Sequence, residues 1–173
     1  VKNSGKVIVK QAILDYETKT SYKLTVVVFD GLARDTATVT INVLDVNEKP
    51  VVSDASYSVE ENSAAGLVLG SLVATDPDKS APNNTLTYKV LSGNEAGMFE
   101  LSTAGKLTLV SDSLNFEKVE SYTLTVQVSD AGTPSQKDTA IVKISVLDVN
   151  EKPEIADASY SVEENTAAGL VLG

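Results

Sequence analysis

The chain has 173 residues, and its 24 acidic side chains outnumber 14 basic ones, giving a formal charge of -10 with no histidine present. Such a field repels nucleic acid and anionic membrane surfaces and concentrates cations. With no cysteine, histidine or tryptophan, the chain lacks the ligands of zinc and iron sites and any disulfide, which does not place it in the cytosol, because a sufficient core or a bound metal also holds domains together outside the cell.

Taken in order, the elements are strands. Tyr22, Leu24, Val26 and Val28 share one parity, followed by Ala37, Val39, Ile41 and Val43, the period of two expected of half-buried strands. Shorter strands are predicted at Ser56–Glu60, Val68–Thr75, Leu86–Leu91, Met98–Leu101 and Lys106–Val110, separated by Gly, Pro, Asn and Asp clusters. Tyr122, Leu124, Val126 and Val128 then alternate with Thr123, Thr125 and Gln127, and Ala140, Val142, Ile144 and Val146 with Lys143 and Ser145. Seven strands in about 100 residues, with no helical period, predict an all-β, seven-stranded antiparallel Greek-key sandwich of the immunoglobulin type.

The same pattern recurs. VLDVNEKP at Val43–Pro50 returns unchanged at Val146–Pro153, and DASYSVEENSAAGLVLG at Asp54–Gly70 returns at Asp157–Gly173 with one substitution, both after 103 positions. LDYETKTSYKLTVVVFDG at Leu14–Gly31 is answered by LNFEKVESYTLTVQVSDA at Leu114–Ala131, an offset of 100 that three inserted residues near GTPSQ bring to 103. The expected organisation is tandem: the C-terminal half of one repeat over 1–50, a complete repeat over 51–153, and the start of a third over 154–173. The partial repeats are not expected to fold as full domains. No signal peptide and no long apolar stretch occurs, as expected of a window on a longer array.

The acidic residues fall on strand ends and loops. Asp15 and Glu17 precede a long strand, Asp30 and Asp130 end one, Glu61 ends the first strand of the complete repeat, and Asp76 with Asp78 follows the second. Strand ends are wet, which accounts for any one of these charges alone. Together, the DPD loop, the oxygen-bearing side chains of the DVNEKP linker and acidic groups at fixed repeat offsets supply the hard oxygens that calcium takes in six- to eight-fold coordination. DPDKSAPNNTLT does not fit an EF-hand, because its sixth position is Ala81 rather than Gly and its twelfth is Thr87 rather than Glu. Glu60 and Glu61 do not suit glycoside hydrolysis, since neighbours on a strand point to opposite faces, and no enzyme activity is expected. NNT at Asn83 matches a glycosylation acceptor but overlaps the expected calcium loop.

These motifs resemble those of cadherin repeats. LDYE looks like the family's LDRE, SVEEN like its xEN, TDPD like its DxD, VFDG and VSDAG like its late acidic turn, and DVNEKP like its DxNDNxP linker. With Glu48 and Glu151 where animal cadherins usually have Asp, the linker looks more like the cadherin-type repeats of large bacterial surface adhesins. The resemblance implies an extracellular, cell-surface location and calcium held between successive repeats. At the first junction it implies Asp15 and Glu17 from the preceding repeat, the Asn47 and Glu48 side chains with the Val46 and Lys49 carbonyls from the linker, and Asp76, Asp78, Asp130 and the Asn83 carbonyl from the following repeat. At the second it implies Glu61, Glu117, Asn150 and Glu151 with the Val149 and Lys152 carbonyls, the partner loops falling beyond Gly173. The first junction is thus expected to be nearly complete and the second open. Asn115 stands where the family usually has Asp, which removes a charge from the second junction, and Glu in both linkers lengthens the ligand by one methylene.

The expected function is a calcium-rigidified extracellular spacer of an adhesion protein. Its partners are calcium ions, the neighbouring repeats of the chain, and another cell-surface protein or polysaccharide. The alternative is a carbohydrate-binding or homophilic adhesion module. Against sugar binding, Tyr22 matches Tyr122, Tyr57 matches Tyr160 and Tyr16 matches Phe116 across the repeat, so these rings are explained as framework.

Overall fold

The computed structural model describes residues 5–171. It begins with a hairpin, β1 (Ser21–Phe29) and β2 (Arg34–Asn42), paired antiparallel so that Tyr22 faces Ile41, Leu24 faces Val39 and Val26 faces Ala37. The linker follows, and then β3 (Val51–Val52), β4 (Ala55–Glu60), β5 (Val68–Ser71), β6 (Ala74–Thr75), β7 (Thr87–Ser92), β8 (Phe99–Leu101), β9 (Lys106–Leu109), β10 (Ser121–Ser129) and β11 (Lys137–Leu147).

Seven of these strands form two sheets, one of order β4-β11-β10-β7 and one of order β5-β9-β8. The chain passes from β7 to the other sheet for β8 and β9 and back for β10, the crossing connectivity of a Greek-key sandwich. Between the sheets lie Leu107, Leu109, Leu114, Leu124, Val126, Val128, Val142 and Ile144, none more than 2% exposed, each contributing about 1.5 to 3 kcal/mol through apolar burial. Phe99 packs edge-on to Tyr122 with ring centroids 5.1 Å apart, as the framework reading of the aromatics expects.

Two departures from the sequence expectations bear on the site. The single strand expected over Val68–Thr75 is broken: β5 pairs with β9 through an irregular register, Leu72 turns into the core with its N–H on the Gly105 carbonyl, and β6 pairs instead with β3. This break delivers Ala74–Thr75, and the DPD loop behind them, to the linker. The sandwich is also not wholly antiparallel, because β4 lies parallel to β11, with Tyr57 opposite Ile144 and Val59 opposite Val146. Both strands therefore run toward the same end of the repeat, and Glu61, just past β4, donates its N–H to the Leu147 carbonyl at the close of β11.

Candidate metal centre

At the first repeat junction three carboxylates converge. Oxygens of Glu17, Glu48 and Asp78 lie within 4.8 Å of one another. Glu17 comes from the turn before β1, Glu48 from the linker and Asp78 from the loop after β6. The DPD loop folds on itself, the Asp78 N–H donating to Asp76 Oδ1 at 3.0 Å, and the Glu48 N–H donates to Asp78 Oδ2 at 2.9 Å. Asn83 Nδ2 sits 3.5 Å from Asp78 Oδ1, and the Lys79 ammonium reaches the Glu17 carbonyl. Partial desolvation, then repulsion from Glu17, Asp78, Asp15 and Asp76, pushes the Glu48 carboxyl above its ordinary range. Desolvation likewise raises Asp76, with Asp78 and Asp130 as like charges around it.

The other residues expected at this junction are held by the protein itself. Asp15 accepts from the Thr18 N–H and hydroxyl at 2.8 and 3.0 Å, bonds that lower its pKa. Asp130, buried, accepts from the Gly132 and Gln136 N–H groups, each at 3.0 Å, closing the turn between β10 and β11. Asn47 Nδ2 donates to Asp130 Oδ2 at 3.0 Å and to the Pro134 carbonyl at 2.9 Å. Its amide lies against Gly132 so closely that a Cβ there would stand 2.0 Å from Asn47 Oδ1. Val46 and Lys49 were expected to act only through their carbonyls; Val46 is exposed and the Lys49 ammonium pairs with Asp138 at 2.7 Å.

Asp138 is a residue that the sequence reading passed over. Besides the ion pair it accepts the Val52 N–H at 3.0 Å, so it clamps both sides of the buried Pro50 and fixes the exit of the linker. The recurrence of DTA at Asp35 and Asp138 was its available signal. Gly132 was a second omission, visible only once the Asn47 amide is placed against it.

The second junction repeats the arrangement with one member exchanged. Oxygens of Glu61, Glu117 and Glu151 lie within 4.8 Å of one another. Glu117 and Glu151 are the repeat counterparts of Glu17 and Glu48, whereas Glu61 replaces the contribution of Asp78. Glu61 is only 2% exposed and accepts from the Val149 and Phe116 N–H groups at 2.9 and 2.8 Å, which hold its carboxyl below the usual range. Asn62 takes the left-handed conformation, φ 58, which Asn tolerates better than most residues, and donates to Glu151 Oε1 at 3.1 Å. Asn150 Nδ2 is 3.4 Å from the Glu151 carbonyl, and Lys152 is exposed.

Both centres fit a hard cation. Their ligand atoms are all oxygen, as calcium requires, and buried oxygens without partners surround them: Asn47 Oδ1 and Asp76 Oδ2 at the first, Asn115 Oδ1 at the second. A buried acceptor left unpaired costs about 1 to 3 kcal/mol, a cost that a cation offsets.

The profile of the cadherin domain family matches residues 55–147. The chain is 34% identical over 179 residues to human Cadherin-23, covering 96% of this chain and 5% of that protein. It is 35% identical over 165 residues to human Protocadherin Fat 1, covering 91% and 4%. Among solved structures, human CDH23 EC21-23 superposes with a TM-score of 0.69 at 27% identity, covering 92% of this chain and 54% of that one. The chain thus spans about a twentieth of the length of these curated relatives. The relatives are animal proteins, and they lend no support to the bacterial assignment that the linker spelling suggested.

Proposed function

The chain belongs to the cadherin domain family, and on that premise we propose that it is an extracellular adhesion-protein segment whose repeats are locked into a rod by calcium at their junctions. The reading divides it into the end of one repeat (1–50), a complete repeat (51–153) and the start of a third (154–173). The observation that carries the proposal is the pair of carboxylate triads, Glu17–Glu48–Asp78 and Glu61–Glu117–Glu151, at two successive linkers. In each, one carboxylate belongs to the linker and the others to the repeat ends around it.

The chain's own groups set the mechanism. Within each triad the carboxylates repel by about 1 to 4 kcal/mol per close pair, depending on the local dielectric. At the first junction this repulsion acts between Glu17, in the turn that precedes β1, and Glu48 and Asp78 on the linker and the loop after β6, so it drives the two sides of the linker apart. Asn47, Lys49 and Val52 meanwhile hold the linker on the following repeat through Asp130 and Asp138. Calcium supplies charge neutralisation and a shared ligand shell when bound. Glu17, Glu48 and Asp78 would hold it, with Asp15, Asp76, the Asn47 oxygen and the carbonyls of Val46, Lys49 and Asn83 around them, and Asp130 orienting Asn47. Glu61, Glu117 and Glu151, with Asn150 and the carbonyls of Val149 and Lys152, would do so at the second. At affinities of about 0.1 to 1 mM, typical of extracellular sites, this makes a stiff rod where calcium is millimolar and a flexible string where it is scarce.

A calorimetric calcium titration paired with small-angle scattering tests this. Saturable binding accompanied by a longer, stiffer particle is expected. Binding that disappears in moderate salt, with no change of shape, would reduce the triads to surface electrostatics.

A further inference from the structure

The octapeptide VLDVNEKP stands with identical spelling at Val43–Pro50 and at Val146–Pro153, and the complete repeat meets both copies, following the first and preceding the second. Its grip falls on a different half of each. On the linker before it, the repeat holds Asn47–Pro50. Asn47 Nδ2 donates to Asp130 Oδ2 at 3.0 Å and to the Pro134 carbonyl at 2.9 Å, and the Glu48 N–H donates to Asp78 Oδ2 at 2.9 Å. The Lys49 ammonium pairs with Asp138 at 2.7 Å, and Pro50 is buried. On the linker after it, the repeat holds Val146–Val149. Val146 and Leu147 end β11, the Leu147 carbonyl accepts the Glu61 N–H at 3.0 Å, and the Val149 N–H donates to Glu61 Oε1 at 2.9 Å.

Laid on one octapeptide, the two grips meet between Val46 and Asn47, or between Val149 and Asn150, and do not overlap. The peptide at that point is bonded by neither neighbour. Among the described residues the complete repeat makes no hydrogen bond to the Val46 carbonyl or the Asn47 N–H at its one end, and none to the Val149 carbonyl or the Asn150 N–H at its other. The hydrogen bonds that cross this peptide are single and exposed, the Lys79 ammonium on the Glu17 carbonyl at the first junction and Asn62 on Glu151 at the second. Each carboxylate triad is divided by it as well, with Glu17 facing Glu48 and Asp78, and with Glu61 and Glu117 facing Glu151.

We propose that the calcium-free chain pivots on this one peptide, so that the body that moves as a unit is Asn47–Val149 rather than 51–153, with Asp138 and Glu61 clamping the linker halves to its two ends. A hinge lies where a few residues absorb backbone rotation between segments packed on different bodies. Here the two packed segments abut, and the rotation falls on the ψ of Val46 and the φ of Asn47. The spelling of the linker sets the place. Val and Leu prolong β11 on the side of the repeat that ends, the Asn and Lys side chains reach the turn and strand after β10 in the repeat that begins, and Pro50, with no N–H to donate, is packed into it. The pivot belongs to the ion-free chain and so goes beyond the calcium reading without depending on it.

Residual dipolar couplings of the backbone N–H groups, measured on the unaltered chain in chelator, test the proposal. Asn47, Glu48 and Lys49 are expected to share the alignment of β4 to β11, as are Leu147, Asp148 and Val149, with the break falling at Val46 and at Asn150. A break at Val51 or at Leu147 instead, or couplings that run unbroken through both Val46–Asn47 and Val149–Asn150, would overturn it. Asp138→Ala is expected to release Lys49 from the common alignment and to leave Val149 within it; a Lys49 that stays aligned in a folded variant would overturn the clamp and the proposal with it. The couplings of the unaltered chain fix the position of the pivot whatever that substitution does to folding. Every spectrum is taken without calcium, so a chain that failed to bind the ion would contradict the rod reading and leave these outcomes as they are.

Discussion

Gly132→Ala is the most discriminating perturbation of the first junction, because it displaces one side chain, the Asn47 amide, and removes no carboxylate. Gly132 does not occupy the left-handed region, so its backbone accepts alanine without strain. The added methyl, however, would lie 2.0 Å from Asn47 Oδ1 and 2.3 Å from its Cγ, and the amide must leave. Two hydrogen bonds go with it, one to the Asp130 carboxylate and one to the Pro134 carbonyl. A bond to a charged group contributes about 1.5 to 3 kcal/mol and a neutral one about 0.5 to 1.5. If half of that total is coupled to ion binding, calcium affinity falls by about tenfold, since 1.4 kcal/mol is a factor of ten. Calcium titrations of Gly132→Ala, Asn47→Ala and the double variant, with thermal melts in chelator to confirm the sandwich, measure it. The double variant is expected to be no weaker than Asn47→Ala alone, as neighbouring residues acting through one contact do not add. An affinity for Gly132→Ala within twofold of the unaltered chain, or losses that sum in the double variant, would refute the reasoning.

Glu48→Ala and Asp78→Ala should each weaken calcium binding at the first junction in a calorimetric titration, while Asp112→Ala, on an exposed loop, should leave it unchanged. Glu48 and Asp76 lie above their ordinary values of 4.5 and 3.8, so the calcium-free folded chain binds protons at these groups more readily than the unfolded chain does. Their contribution to its stability accordingly improves as pH falls from neutral toward those values, and calcium affinity declines over the same window because the ion competes with the protons; titrations at neutral and mildly acidic pH check this. Leu124→Ala should cost the complete repeat about 2 to 5 kcal/mol in urea unfolding, whereas Leu24→Ala, at a position 41% exposed, should change that transition by no more than about 0.5 kcal/mol. Asn115→Asp should lower the melting temperature in chelator and tighten calcium binding at the second junction, because it adds a charge at the side of Phe116, whose N–H is held by Glu61.

Local pattern carried most of the fold. The parity of Tyr122 to Val128 and of Ala140 to Val146 returned as β10 and β11, with the expected side chains in the core. What pattern could not convey was pairing. The stretch Val68–Thr75 does not disclose that Leu72 turns inward on the Gly105 carbonyl, nor does alternation in β4 disclose a parallel partner. The site divides in the same way. Carboxylates at repeat-locked positions were legible as a set, and Glu17, Glu48 and Asp78 converge with Glu61, Glu117 and Glu151 as their counterpart. The residues that aim them were not legible, because Asp138 and Gly132 act on the linker from the turn and strand that follow β10, more than 80 positions along the chain from Asn47 and Lys49.

The two hairpins make the same point about burial. Leu24 and Leu124 sit in closely similar strands with matching cross-strand neighbours, Val39 and Val142, yet one is 41% exposed and the other fully buried. Propensity and parity are equal in the two, so the difference lies wholly in the opposing sheet: β5, β8 and β9 cover Leu124, and no such sheet covers Leu24 among the described residues. A strand pattern thus specifies which face is apolar, while the rest of the repeat decides whether that face is dry. The junction carboxylates obey the same logic. Glu61 is held by two N–H groups that exist in place only because β4 and β11 end together, and Glu48 meets Asp78 only because the break after β5 brings the DPD loop to the linker. Charge at these positions is written locally in the sequence, but its convergence is a property of the assembled sandwich.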